Sequence, residues 1–365
     1  MIIMKKVCLH KYVKLPSYNC IAKESIYMKK IINSGATVVT EMIEGYVKAY
    51  PRYFERLTND EGDINAIAWK NRSKDKVALV IGGGSGHEPL FAGLCGEGMA
   101  DAAIMGNIFA APNPQLICDT AKACDNGKGV LFVYGNYAGD NLNFDMGEEL
   151  CEFEDITTAH VRVYDDIASF GKDRMDERRG IAGDVYVIKV AAAACAAGLP
   201  LEEVKRITEK ARDNIFTIGL AIGPGTHPVT GALTFELPDD AIEYGLGLHG
   251  EPGVERTTMK PANELTERMF EELMKEMELK EGEEISVLVN SLGATTILEL
   301  CVVNNKLNEL IKAKGVKIHD CELQTLCTCQ EMSGVSITFL RMDDELKKYY
   351  NTPCYTPYFS RGAIE

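Results

Sequence analysis

The chain has 365 residues, 46% of them hydrophobic and 25% charged, with a formal net charge of −15. That length allows two domains with cores of their own, and the composition is that of a soluble globular protein. The acidic balance excludes a nucleic-acid-binding role, because neutralising phosphates needs clustered Lys and Arg.

The twelve cysteines do not read as a disulfide framework in so long and evenly apolar a chain. Cys327 and Cys329 lack a second pair at zinc spacing, so no metal site is expected. Cys95, Cys195 and Cys301 lie in apolar segments and read as reduced core residues of a cytoplasmic protein. "MIIMKKVCLHKYVKL" has lysines where a signal peptide needs an apolar run. "VAAAACAAG" is too short to span a bilayer, so no membrane association is expected.

Residues 1–27 show no clear period and read as an N-terminal arm. Helical spacing starts at Met28, in "MKKIINSGATVVTEMIEGYVKAYP". From residue 76 onward strand and helix signals alternate. "KVALVIG" leads into an apolar, helix-like stretch from Glu88. "AAIMG", "GVLFVYG" and "AHVRVYDDIA" are short apolar runs bounded by glycine or polar residues. They fit strands buried on both faces, in βαβ units of a mostly parallel sheet. "PLEEVKRITEKARDN" is a helix with proline at its start. The pattern then changes. "IFTIGLAIGPG", "GALTFELPDD" and "IEYGLGLHG" are strand-like runs without helices between them. A long amphipathic helix from about Pro261, the strand "ISVLVN", another helix and the strand "VSITFLRM" follow. The expected architecture is α/β in two domains. Residues 28–213 form a mostly parallel sheet with flanking helices, and residues 214–365 a mixed sheet with helices.

Ligands of open α/β sheets bind beyond the carboxyl ends of the strands. Three such ends carry unusual residues: "GGGSGHEP" after strand 76–82, "GNYAGD" after strand 129–135, and "LHGEPG" after strand 241–248. The first is not a phosphate loop, since His87 and Glu88 stand where Lys and a hydroxyl are needed. Nor is it a dinucleotide fingerprint, whose third glycine would fall on His87. Its glycines still allow close backbone approach to a small polar ligand. Each residue also has a purely structural reading. His87 can be a helix-start histidine, Asp140 a helix cap and His249 a turn residue. The functional reading rests on all three standing at strand ends. His227 and His160 read as a turn and a strand residue, and "KDRMDERR" as a solvated charged face.

"ALVIGGGSGHEPLFAG", "GNYAGDNLNF", "RRGIAGD" and "GLGLHGEPGVER", in this order, resemble the substrate-binding subunit of the dihydroxyacetone kinases. "LVNSLGATTILEL" and "EMSGVSITFLRMDDEL" are similar to that family's C-terminal part. The resemblance runs from about residue 28 to the end. It implies that His249 captures the substrate ketone covalently as a hemiaminal. It places His87 at a substrate hydroxyl, assisting proton transfer, and Asp140 at the hydroxyl to be phosphorylated. Gly84, Ser85, Gly86 and Gly135 fall on the substrate-contacting loops. A neutral imidazole nitrogen can add to a ketone carbon. That nitrogen then has no second proton to lose, so addition stops at the hemiaminal. The resemblance implies that this chain binds no cofactor itself. Phosphate would come from a separate nucleotide-binding subunit, either using ATP and Mg2+ or recharged by a phosphotransferase-system protein. A homodimer is implied as well. Two alternatives stand beside the dihydroxyacetone reading. "GNYAGD" and "RRGIAGD" are also similar to members acting on larger ketoses such as erythrulose. The family further includes a non-catalytic, ketone-sensing coactivator of a transcription regulator.

Overall fold

The structure, a computed structural model, describes residues 29–362. The expected arm over residues 1–27 lies outside the described residues. The first helix, α1 (Val38–Ala49), begins ten residues later than helical spacing suggested. Residues 29–37 form an irregular strap. It is held by the Lys30–Glu331 ion pair and by Gly35, packed so tightly on Val229 that a Cβ there would lie 2.3 Å from Val229 Cγ1. These tertiary contacts override the local helical period.

A hairpin of β1 (Phe54–Asn59) and β2 (Gly62–Trp69) comes next, turning at Gly62 with φ +124°. The alternating region supplies β3 (Ala78–Ser85), β4 (Ala102–Ile108), α2 (Pro114–Cys124), β5 (Val130–Gly135), α3 (Ala138–Phe153) and β6 (Thr158–Val163). The first sheet has six strands in the order β1-β2-β4-β3-β5-β6. Its four strands from β4 to β6 are parallel, and the hairpin adds antiparallel strands at one edge. The stretch from Glu88 is not an α-helix. It is an irregular buried run with one 3₁₀ turn at Ala92–Leu94, entered through Phe91 at φ 63°. Two glycines and a proline within eight residues leave no helical stretch to propagate.

After β6 come α4 (Asp184–Ala196) and α5 (Leu201–Asp213). The second sheet is built from β7 (Ile215–Gly223), β8 (Ala241–Tyr244), β9 (Glu255–Thr258), β10 (Glu284–Ser291), β11 (Lys317–Gln324) and β12 (Ser333–Met342). Helices α6 (Ala262–Met277) and α7 (Ile297–Ala313) lie within that run, and α8 (Asp344–Tyr350) follows it. The strand order is β11-β10-β12-β7-β8-β9, parallel only between β10 and β11. "GALTFELPDD" forms no strand of this sheet; it is a loop with one isolated bridge, Thr226 to Leu233.

Side-chain alternation assigns the layers. Leu79, Ile81, Leu131 and Val133 face α4, while Val80, Phe132 and Tyr134 face α2 and α3. Ile285, Val287, Ile337 and Phe339 of the second sheet face α6 and α7, and its other face gives Leu288 and Leu340 to the α4 side. Helix α4 therefore lies between the two sheets, with Asp184 through Cys195 all buried. That is why "VAAAACAAG" is apolar all round without being a membrane span: a helix covered on every side needs no polar face. No helix among the described residues is long and apolar enough to cross a membrane. Residues 353–361 return to the first sheet's side, where Tyr355 bridges Glu97 and Tyr358 stacks on Tyr46.

Cys95 and Cys195 are buried as expected, but Cys301 is exposed on α7. The charged run 172–179 is solvated only in part. Arg178 is buried against Phe170 O and Glu276, and Arg179 pairs with Asp166, so both tether the loop.

Candidate active site

The carboxyl ends of β3 and β5 open side by side, and the loop after β8 reaches them from the second sheet. Between them lies a small cavity, walled by Gly82, Gly83, Gly84, His87, Gly135, Tyr137, Asp140, Gly180, Asp184, Leu248 and His249, with Leu90 and Phe91 also lining it. His87, Asp140 and His249, from three separate strand ends, thus share one wall-to-wall space. Gly84 and Gly135 line it too. Ser85 and Gly86 do not: Ser85 Oγ donates to Gly106 O at 2.7 Å, and Gly86 N–H donates to the Glu88 carboxylate at 3.0 Å. Their work is to shape the loop. Gly86 sits at φ +111°, and a Cβ there would meet the Phe109 ring at 2.5 Å. Strand β3 runs further than the sequence suggested, through the glycines to Ser85, while β8 stops at Tyr244 and leaves 245–248 as a turn.

The two histidines meet at ring-nitrogen distance, with His87 Nε2 3.0 Å from His249 Nε2. Their outer nitrogens fix the protons. His87 Nδ1 lies 2.7 Å from Thr328 O, and a carbonyl only accepts, so this nitrogen carries hydrogen. His249 Nδ1 lies 3.0 Å from Glu251 Oε1, and a carboxylate likewise accepts. Both Nε2 atoms would then present bare lone pairs to each other at 3.0 Å. A proton placed between them would turn that repulsion into a hydrogen bond, with the Glu251 carboxylate beside His249 to balance its charge. The other Glu251 oxygen accepts from the His249 backbone N–H at 2.8 Å, which ties carboxylate and histidine into one turn.

The electrostatics follow this division. Burial pushes His87 down to about 3, helped by the charge on His249, so His87 is a neutral acceptor at rest. Burial raises the Glu251 carboxyl, but the hydrogen bond and charge of His249 and the backbone N–H groups outweigh it, and Glu251 stands at about 2. Asp140, in the first turn of α3, is pushed up to about 6 by burial, against the pull of His249 and its own backbone N–H. Its Oδ1 is buried with no hydrogen-bond partner among the described residues. It does not cap the helix: the N-cap is Tyr137, with no side-chain cap bond. The edges of Tyr137 and Phe109 pack on His249 at ring distances of 4.9 and 5.7 Å.

Sequence reasoning left Glu251, Tyr137, Phe109, Gly180 and Asp184 unassigned. Glu251 stands in the quoted "HGEPG", two residues from the histidine, and that spacing was its only signal. Gly180 is needed for a close approach, since a Cβ there would lie 2.5 Å from Gly135 Cα. His227 is a turn residue whose Nδ1 accepts from the Val229 and Thr230 backbones, and His160 lies in β6 beside Glu148. Among the described residues no group of three or more His, Cys, Asp or Glu side chains is placed to share a metal ion.

The Dak1 domain model matches residues 44–358. The chain is 44% identical over 333 residues to PTS-dependent dihydroxyacetone kinase 2, dihydroxyacetone-binding subunit DhaK, of Listeria innocua, covering 91% of this chain and 99% of that protein. It is 35% identical to the L-erythrulose kinase of Pectobacterium atrosepticum, covering 92% of this chain and 57% of that protein. The crystal structure of the dihydroxyacetone kinase of C. freundii superposes with a TM-score of 0.81 at 27% identity, over 91% of this chain and 60% of that one. Both histidine loops and the Asp140 turn fall inside the matched span, and the chain belongs to the Dak1 domain family.

Proposed function

We propose that this chain is the ketose-binding subunit of a two-component dihydroxyacetone kinase, holding the substrate as a hemiaminal on His249 while a terminal hydroxyl is phosphorylated. The observation that carries the reading is the pair of facing Nε2 atoms, 3.0 Å apart, in a cavity that also holds Asp140. A ketone entering the cavity separates the pair. His249 Nε2 gives the shared proton to His87 and its freed lone pair attacks the carbonyl carbon. The π electrons of the C=O move to oxygen, which takes the proton back from His87. Atoms and charge balance: one positive charge, first shared by the two rings, ends on the alkylated His249 ring beside Glu251. No proton comes from solvent, and His87 returns to its neutral state. Asp140 then accepts the proton of a terminal hydroxyl as its oxygen attacks phosphorus. With its carboxyl at about 6, Asp140 is ionised at neutral pH yet basic enough to serve.

Phosphoryl transfer needs charge arranged around the phosphates, and the glycine loop here ends in a neutral histidine. The donor therefore comes from a separate subunit. Of the two donor routes, the phosphotransferase-linked one rather than direct use of ATP is supported by the 44% identity to a PTS-dependent dihydroxyacetone-binding subunit. Dihydroxyacetone is preferred to erythrulose because the erythrulose kinase stands at 35%. The homodimer and cytoplasmic location implied by the sequence resemblance belong to the same reading.

The test is reconstitution. The purified chain with dihydroxyacetone, ATP and Mg2+ gives no phosphorylated product. Adding the nucleotide-binding subunit and its phosphotransferase-linked donor restores steady turnover. Sustained turnover by the chain and ATP alone overturns the two-component reading.

A further inference from the structure

Two buried carboxyls stand where the chain enters α4, and they are treated differently. Asp165 is satisfied by the fold: its oxygens accept from the Ile181 and Gly183 backbone N–H groups at 2.8 and 2.7 Å. Asp184 is 2% exposed and lies in the cavity wall beside Asp140 and Gly135. Its Oδ1 is buried and has no hydrogen-bond partner among the described residues. It does not cap α4 either, whose N-cap is Gly183 with no side-chain bond. Leaving a buried polar atom unpaired costs stability, and such a group needs its own account. The space in front of it is kept open. A Cβ on Gly135 would lie 3.4 Å from Asp184 Oδ2, so a larger side chain there would cover the carboxyl. Burial first, then repulsion from Asp165 and Asp140, holds Asp184 well above the usual carboxylate range. A neutral carboxyl offers one O–H donor and one carbonyl acceptor, the complement of an alcohol.

We propose that Asp184 is a substrate-contacting specificity residue, which grips the hydroxyl of the ketose arm that is not phosphorylated. The ligand class is a ketone with a hydroxyl on each flanking carbon. Asp140 takes one arm and Asp184 the other, with the carbonyl carbon between them on His249. A ketone lacking one hydroxyl leaves one carboxyl unpaired in the closed site, and the penalty falls on the analogue. The inference rests on the proposed capture of ketones by His249.

The experiment titrates carbonyl-labelled dihydroxyacetone and hydroxyacetone into the full chain, following the saturated-carbon resonance of the adduct. This needs no phosphate donor. Wild-type protein binds hydroxyacetone at least about tenfold more weakly than dihydroxyacetone. In Asp184→Val that ratio falls below about threefold, because only dihydroxyacetone loses a contact. Should Asp184→Val not fold, Asp184→Ser is the second variant and gives the same readout, since it too removes the carboxyl. An adduct with both ketones but an unchanged ratio in the variant shows that Asp184 only shapes the fold, and overturns this inference while leaving His249 in place. No adduct with either ketone in wild-type protein overturns the capture reading and this inference together.

Discussion

In the proposed reaction His249 gains its reactivity from what stands behind it. Glu251 holds the outer nitrogen, so the inner one faces the cavity, and on the proposed mechanism its charge stabilises the cation left by ketone addition. Glu251→Gln keeps the shape but not the charge. A lost charge-assisted bond of ~1.5–3 kcal/mol lowers adduct affinity about 10–100-fold. The check is titration of labelled ketone, alongside circular dichroism showing an unchanged fold. Asp140 makes a second prediction, with two signs. Asp140→Asn cannot act as a base, so turnover with the donor subunits falls ~10²–10⁴-fold. In the wild type, turnover rises with pH through about 6 as Asp140 ionises. The same substitution raises stability. The folded-state value of about 6 lies above the ordinary 3.8, so the native protein loses stability as pH rises between the two. Thermal unfolding at pH 8 finds Asp140→Asn more stable by about 1–3 kcal/mol, a gain that vanishes by pH 4. His87, Asp140 and His249 were legible in the sequence because each stands beside glycine at a strand end. Glu251 gave only its two-residue spacing from His249, and Asp184 gave no signal, because their importance lies in what each carboxyl pairs with in space: His249 for Glu251 and nothing for Asp184 Oδ1 among the described residues.

Helix α4 shows what an element owes to its surroundings. Its alanine-rich run is short enough for two sheets to close on it, and Lys189 lies fully buried within it. Among the described residues the Lys189 ammonium has one long hydrogen bond, to Tyr349 O at 3.4 Å, and burial lowers it to about 8. Lys189→Met should therefore stabilise the protein at pH 7, by about 1–3 kcal/mol. The sign follows from linkage. The unfolded lysine binds its proton up to 10.5 and the folded one only to about 8, so wild-type stability rises with pH between them and the variant's advantage shrinks. Denaturant unfolding at pH 7 and pH 10 checks both. The parallel strands and the helices at Pro200 and Pro261 were legible from period and breakers. The strap at 29–37, the irregular run after Glu88 and the loop over "GALTFELPDD" were not. In the first two, long-range contacts set the backbone: Gly35 on Val229, and the Thr328 hydroxyl donating to Glu88 O at 2.9 Å; the third folds back on residues 225–227 of its own loop. Local spacing carries none of that.

Across the whole molecule, the site exists only where the two sheets meet. His87 and Asp140 come from the first, His249 from the second. The Thr328 carbonyl that sets the His87 proton follows β11 of the second sheet. The proposed function divides capture and phosphorylation in the same way: this chain holds the ketone, and a partner brings the phosphate. Selection for a carbonyl follows from the covalent step, since glycerol offers His249 no carbon to attack. The most direct test uses dihydroxyacetone labelled with carbon-13 at the carbonyl. With wild-type protein the account predicts a new resonance, moved from the ketone region to that of a saturated carbon bearing nitrogen and oxygen, and its disappearance in His249→Ala. Persistence of that resonance in His249→Ala, or a bound ketone in the wild type that keeps its carbonyl shift, would contradict it.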